Sequence, residues 1–149
     1  MSERRVKAAT MSKPPYEDVR TERIIEVIQD KKGLDILLMD LRSSTDTTDF
    51  FILCSGTSDL HVKTLADEIT DTLKQEGQRP WHVEGYKARR WILIDYVDVV
   101  VHIFRRDARE FYALERLWGD ADCTSFEDTW EAPVEEQPKD DDLLVFSRP

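Results

Sequence analysis

Two aspartates and a histidine stand close together in the apolar stretch IDYVDVVVHIF (94–104): Asp95, Asp98 and His102. Carboxylates and an imidazole at such spacing can hold a divalent metal or move protons. A second candidate is SGTSD (55–59), which joins an apolar run to a helical pattern. Backbone amides at a helix N-terminus can hold phosphate. Taken together, these features raise a metal-dependent nucleotidyltransferase-like enzyme as one reading. Nucleophilic catalysis has weaker support. Cys54 lies mid-run with no nearby histidine, and no G-x-S-x-G elbow occurs, so a buried inert thiol is expected. His61 and His82 read as surface residues. The cysteines, Cys54 and Cys123, form neither a disulfide framework nor close Cys/His pairs for zinc.

The elements that must position these groups follow from periodicity. A helix is expected from Tyr16 to Lys32, with Ile24, Val27 and Ile28 as its apolar stripe and Gly33 at its stop. LDILLMDL (34–41) and FFILCSG (50–56) are short continuous apolar runs, as expected of strands covered on both faces. Between them lies a polar loop. Ser58 caps the clearest helix, whose stripe is Val62, Leu65, Ala66, Ile69 and Leu73 and whose end is Gly77. A weak strand in WHVEGY, strong strands in RWILIDY and DVVVHIF, and a helix from an Asp107/Glu110 capping box to Trp118 complete the order. That order, α-β-β-α-β-β-β-α, predicts a single α/β domain with a mixed sheet and packed helices.

Strand alternation then weighs the first candidate. If Tyr96 and Val97 form a two-residue turn, Asp95 faces Asp98, Leu93 faces Val100 and Trp91 faces His102. Ile92, Ile94, Val99, Val101 and Ile103 form the opposite, uniformly aliphatic face, which must be the core side. The mixed face of Trp91, Leu93, Asp95, Asp98, Val100, His102 and Phe104 has the character of an interface. His102 then lies two strand pairs from Asp98, too far for a compact metal site. Asp95 and Asp98 either solvate a turn or meet cations. Trp91 is either a binding hot spot or a ring buried under a helix. SGTSD has one glycine and no P-loop lysine, and Ser58 is explained as a cap.

Net charge is −10, but residues 119–149 hold ten acids against Lys139 and Arg148. That segment carries −8, leaving −2 on residues 1–118, so the acidic balance does not exclude a partner rich in RNA. Arg89, Arg90, Arg105, Arg106 and Arg109 form a modest basic patch, interspersed with acids and better read as a salt-bridged surface. No run reaches the roughly 20 apolar residues of a membrane span, and no apolar signal segment opens the chain. The expected organisation is a mobile leader over 1–15, a folded domain over 16–121 and an acidic, disordered tail over 122–149.

In order along the chain, TDFFILCSGTSDLHVKTLADEI, VEGY, WILIDYVDVVVHIF and REFYALERLWGDA resemble the ribosomal silencing factor family, also called RsfS or Iojap. Jointly these motifs are highly specific, and with the first helix and strand they span roughly 19–121. The resemblance implies a fold similar to nucleotidyltransferases without their catalytic signature, and a non-enzymatic cytoplasmic protein with no cofactor. It implies binding to the large ribosomal subunit through ribosomal protein L-fourteen, near rRNA, which blocks subunit joining and lowers translation when nutrients are scarce. Organellar relatives imply an alternative role in large-subunit assembly, and relatives that dimerise imply homodimers through the same sheet. The docking residues it implies are Glu84, Gly85, Trp91, Leu93, Asp95, Asp98 and His102, with Tyr112 and Trp118 nearby. Three positions depart from the family pattern. Val97 replaces the usual glycine between the aspartates, Leu60 stands where a basic residue is common, and the acidic tail has no counterpart.

Overall fold

The computed structural model describes residues 6–9, 19–112 and 121–132. Its order is β1 (Val6–Ala9), α1 (Val19–Asp30), β2 (Leu34–Asp40), β3 (Phe50–Gly56), α2 (Asp59–Gln75), β4 (His82–Glu84), β5 (Trp91–Asp95), β6 (Val99–Arg105), α3 (Arg106–Tyr112) and β7 (Asp122–Phe126). The strands form one mixed sheet in the order β1-β7-β2-β3-β6-β5-β4. β1 and β7 pair in parallel, as do β3 and β6; the other neighbours are antiparallel.

The expected α/β architecture is present, with two strands added. The segment read as a tail from residue 122 opens with β7, which sits inside the sheet between β1 and β2. Cys123 points into the apolar cluster beside Met39, so a short strand survives in acidic company because alternate positions still reach the core. β1 likewise lies within the stretch expected to be a mobile leader. The last helix is described to Tyr112, and residues 113–120, including Trp118, lie outside the described residues.

Local chemistry explains the two long helices. Ser58, at φ −154° and ψ 170°, caps α2 by accepting from His61 N at 3.1 Å. Val62, Leu65, Ala66, Ile69 and Leu73 are all buried, as their spacing predicts. At the other end, Gly77 N donates to Lys74 O and Gln78 N to Leu73 O, with Gly77 at φ +81°, a Schellman stop. α1 closes the same way, but Lys32 takes the left-handed position at φ +65°. Gly33 serves a different need from the one expected: a Cβ there would lie 2.2 Å from Ile28 Cγ2.

α1 and α2 cover one face of the sheet. Ile24, Ile28, Leu65 and Ile69 meet Ile92, Ile94, Val99, Val101 and Ile103 there, the aliphatic set that alternation assigned to the core. On the other face a smaller cluster of Leu37, Met39, Leu41, Leu53, Phe104, Ala121 and Cys123 packs with Phe51 and Trp91 at its margin. This second face is the one the mixed residues share.

Candidate partner-binding face

The β5–β6 register differs from the expected one by two residues. Trp91 faces Phe104, Leu93 faces His102 and Asp95 faces Val100. A shift of two preserves which residues share a face. Trp91, Leu93, Asp95, Val100, His102 and Phe104 therefore stay together, while Asp98 leaves the ladder.

The cause is the connection. Tyr96 N donates to Val99 O at 2.8 Å, and Asp98 N donates to Tyr96 O at 3.0 Å across Val97, which sits at φ +76°. The latter bond and that φ define a tight γ-turn, a conformation rare for any L-residue and worse for a β-branched one. The Asp95 carboxylate steadies the turn by accepting from Val97 N at 2.7 Å. Asp98 is exposed and pairs with Arg20 at 3.2 Å, while its carbonyl accepts from Thr48 Oγ1, Asp49 N and Phe50 N. Asp95 and Asp98 thus hold turns and loops, and their feared ladder repulsion does not arise.

His102 is buried in the middle of the face. Trp91 Nε1–H donates to its Nδ1 at 3.0 Å. An indole N–H only donates, so Nδ1 is unprotonated and the neutral ring carries its proton on Nε2. Burial pushes the imidazole pKa down to about 3. Phe51 meets the ring edge-on at 4.6 Å between centroids, and Trp91 stacks on Phe104 at 5.4 Å. Trp91 is therefore half-buried and engaged with His102 and Phe104 on its own sheet face.

Beside this aromatic cluster lies a groove of about 520 Å³. Leu93, Asp95, Val100 and His102 of the hairpin and Phe51 of β3 line it, with Thr45, Thr47 and Thr48 from the β2–β3 loop. Trp81 and Val97 form its rim and are 74% and 53% exposed. Asp46 and Asp49 are exposed on the adjoining loop. Glu84, opposite Leu93 on the edge strand β4, shares this face and accepts from His82 Nε2 at 2.9 Å. Gly85 contributes through backbone fit: at φ +79°, a Cβ there would lie 2.0 Å from Trp91 O. Of the expected docking residues, Glu84, Leu93, Asp95 and His102 thus converge on the groove face, Gly85 and Trp91 support it, and Asp98 stands apart. Tyr112 is described only as the end of α3, and Trp118 lies outside the described residues.

The other candidates resolve into structure. At the SGTSD turn, Thr57 N donates to His61 Nδ1 and His61 N to Ser58 Oγ, so these amides are already engaged. His61 also bonds Lys31 O at 2.9 Å, tying α2 to the end of α1; it is a joint rather than a surface residue. Arg105 bridges Asp59 and Asp107, α3 begins at Arg106 so that Asp107 lies inside its first turn and not at the cap position, and Arg109 bonds Ser55 Oγ and Asp35 O. Cys54 is fully buried, which pushes its thiol up to about 12.

Phe51, Trp81 and the threonine loop were not anticipated. Phe51 lay in a run read as buried on both faces, and the loop reaches the groove only through the tertiary fold. Together the geometry defines a class: an α/β protein with one sheet face covered by α1 and α2 and, among the described residues, an apolar groove on the other face that includes Asp95.

Residues 15–143 match the family model for the ribosomal silencing factor during starvation, RsfS, and the chain belongs to that family. It is 44% identical over 92 residues to ribosomal silencing factor RsfS of Bacillus subtilis, covering 62% of this chain and 78% of that protein. With the RsfS of Halalkalibacterium halodurans it is 37% identical over 103 residues, 69% of this chain and 88% of the relative. A crystal structure of a Chromobacterium violaceum protein superposes with a TM-score of 0.66 at 31% identity, covering 78% of this chain and 91% of that one.

Proposed function

We propose that this protein binds the large ribosomal subunit through the groove face, docks on ribosomal protein L-fourteen beside rRNA, and sterically blocks joining of the small subunit. Translation falls as a result when nutrients are limiting. The reaction is binding alone, in the cytoplasm, without a cofactor. The observation that carries this reading is the apolar groove between Leu93, Val100, Phe51 and Trp81, in a chain of the ribosomal silencing factor family. Apolar surface of this kind, rimmed by charge, is what a protein interface needs at its centre. Asp95 lines the groove and Glu84 shares its face, and these carboxylates complement a basic ribosomal protein and disfavour phosphate. A homodimer built on the same face would compete with the ribosome.

The test is co-sedimentation of purified protein with salt-washed large subunits, followed by addition of small subunits. The protein should travel with large subunits and reduce the joined particle. Free migration at low salt contradicts the reading. Binding to precursor subunits without any effect on joining contradicts silencing and favours an assembly role.

A further inference from the structure

His102 Nε2 is buried and has no hydrogen-bond partner among the described residues. Nδ1 is occupied by the Trp91 indole, so Nε2 carries the proton and the stranded group is a donor. The Nδ1 edge is turned toward Trp91, which does not line the groove, while the His102 ring does. His102 thus lines the groove while its protonated Nε2 lies sealed from solvent. A buried donor without an acceptor destabilises the free protein, and native structures tolerate few of them. Here it sits at the floor of the site proposed to meet a partner.

We propose that His102 Nε2–H is the specificity determinant of the groove, donating to a neutral acceptor (a hydroxyl, a side-chain amide or a main-chain carbonyl) on an inserted loop of a basic protein. The inference rests on the docking reading above and names the chemistry of its occupant. A cationic tip has no lone pair to offer Nε2–H. A carboxylate tip would share the groove with Asp95, and a nucleic-acid phosphate would meet Asp95 with Glu84 on the same face. Basic residues flanking the inserted acceptor suit those same carboxylates. The partner must displace a lining side chain to reach the sealed nitrogen. The acceptor it brings then satisfies the stranded donor, which an aliphatic side chain of the same size cannot do.

Two substitutions separate this role from packing. His102→Asn places an amide near Nδ1, keeping an acceptor for Trp91 Nε1–H but deleting the distal donor. His102→Gln places an amide N–H near the Nε2 position. Both lose the ring against Phe51, so both melt earlier by similar amounts. Binding to purified large subunits should fall about tenfold for His102→Asn and stay within about threefold of wild type for His102→Gln. Should neither variant fold, histidine methylated at Nε2, placed at position 102 by codon reassignment, removes the same donor with the ring retained and should bind at least as weakly. Equal binding by wild type and the donor-deleted proteins overturns the inference while leaving the docking reading intact. Failure of wild type to bind overturns the docking reading and this inference with it. A photo-crosslinker at Leu93 should give a product resistant to ribonuclease; a product lost to ribonuclease means that RNA occupies the groove, and overturns the inference.

Discussion

Val97→Gly should stabilise the protein while impairing its docking. Val97 holds φ +76° inside a γ-turn closed by Asp98 N to Tyr96 O, and its own N–H is held by Asp95. A β-branched residue in this region costs about 2–3 kcal/mol, the upper part of the range for strained backbone positions. Glycine removes that strain but gives the unfolded chain more freedom, worth about 0.5–1 kcal/mol. It also deletes a side chain that is 53% exposed, so roughly half of a valine's burial is lost, again about 0.5–1 kcal/mol. The strain term wins, and the net gain is about 1 kcal/mol. Urea unfolding should show a higher midpoint at unchanged slope. Val97→Ala is the control, because it loses the burial and keeps most of the strain, so it should not gain stability. Loss of about 1 kcal/mol in the glycine variant would refute the reasoning, since it would mean that the turn is not strained. Large-subunit binding should weaken in both variants, because Val97 walls the groove.

Stability should fall in acid through His102. Its folded pKa of about 3 lies below the ordinary histidine value, so the unfolded chain binds the proton first. The stability associated with its neutral form is complete above about pH 6.5 and is lost as pH falls toward 3, by up to about 1.4 kcal/mol per pH unit. Unfolding at pH 7 and pH 5 should show a difference that His102→Gln reduces. Gly85→Ala should destabilise by about 2–3 kcal/mol, because it combines a left-handed φ with a 2.0 Å collision with Trp91 O; thermal melting checks this. Cys54 and Cys123 are both buried, so neither should react with an aromatic disulfide reagent until denaturant is added.

The two faces of the β5–β6 hairpin were legible because alternation survives a register shift of two. The register itself was not legible. A two-residue turn at Tyr96 and Val97 assumed that the chain would reverse as early as possible. Instead Asp98 leaves the ladder to serve Arg20 and the β2–β3 loop. β7 was hidden by composition: Asp122, Glu127 and Asp128 read as solvated tail, yet Cys123 and Thr124 are buried beside β2. β1 pairs with a strand more than a hundred residues away, and VKAA carries no strand pattern of its own. The groove depends on the same kind of distance. Threonines at 45–48, Phe51 and Trp81 meet Leu93 and His102 only once β3 and β4 flank the hairpin. The family motifs pointed to this face, and the sheet order shows why its residues sit side by side.

Leu93→Glu tests the central claim most directly. Leu93 is half-buried on the groove face, opposite His102 and outside the helix-covered core, so a carboxylate there can turn toward solvent. Wild-type protein and the variant, each checked for a cooperative melt, would be added to large subunits before small ones, and the joined particle measured on a sucrose gradient. Wild type should suppress the joined particle and migrate with large subunits, while Leu93→Glu should leave joining unaffected. A folded Leu93→Glu protein that blocks joining as well as wild type would contradict docking through this face.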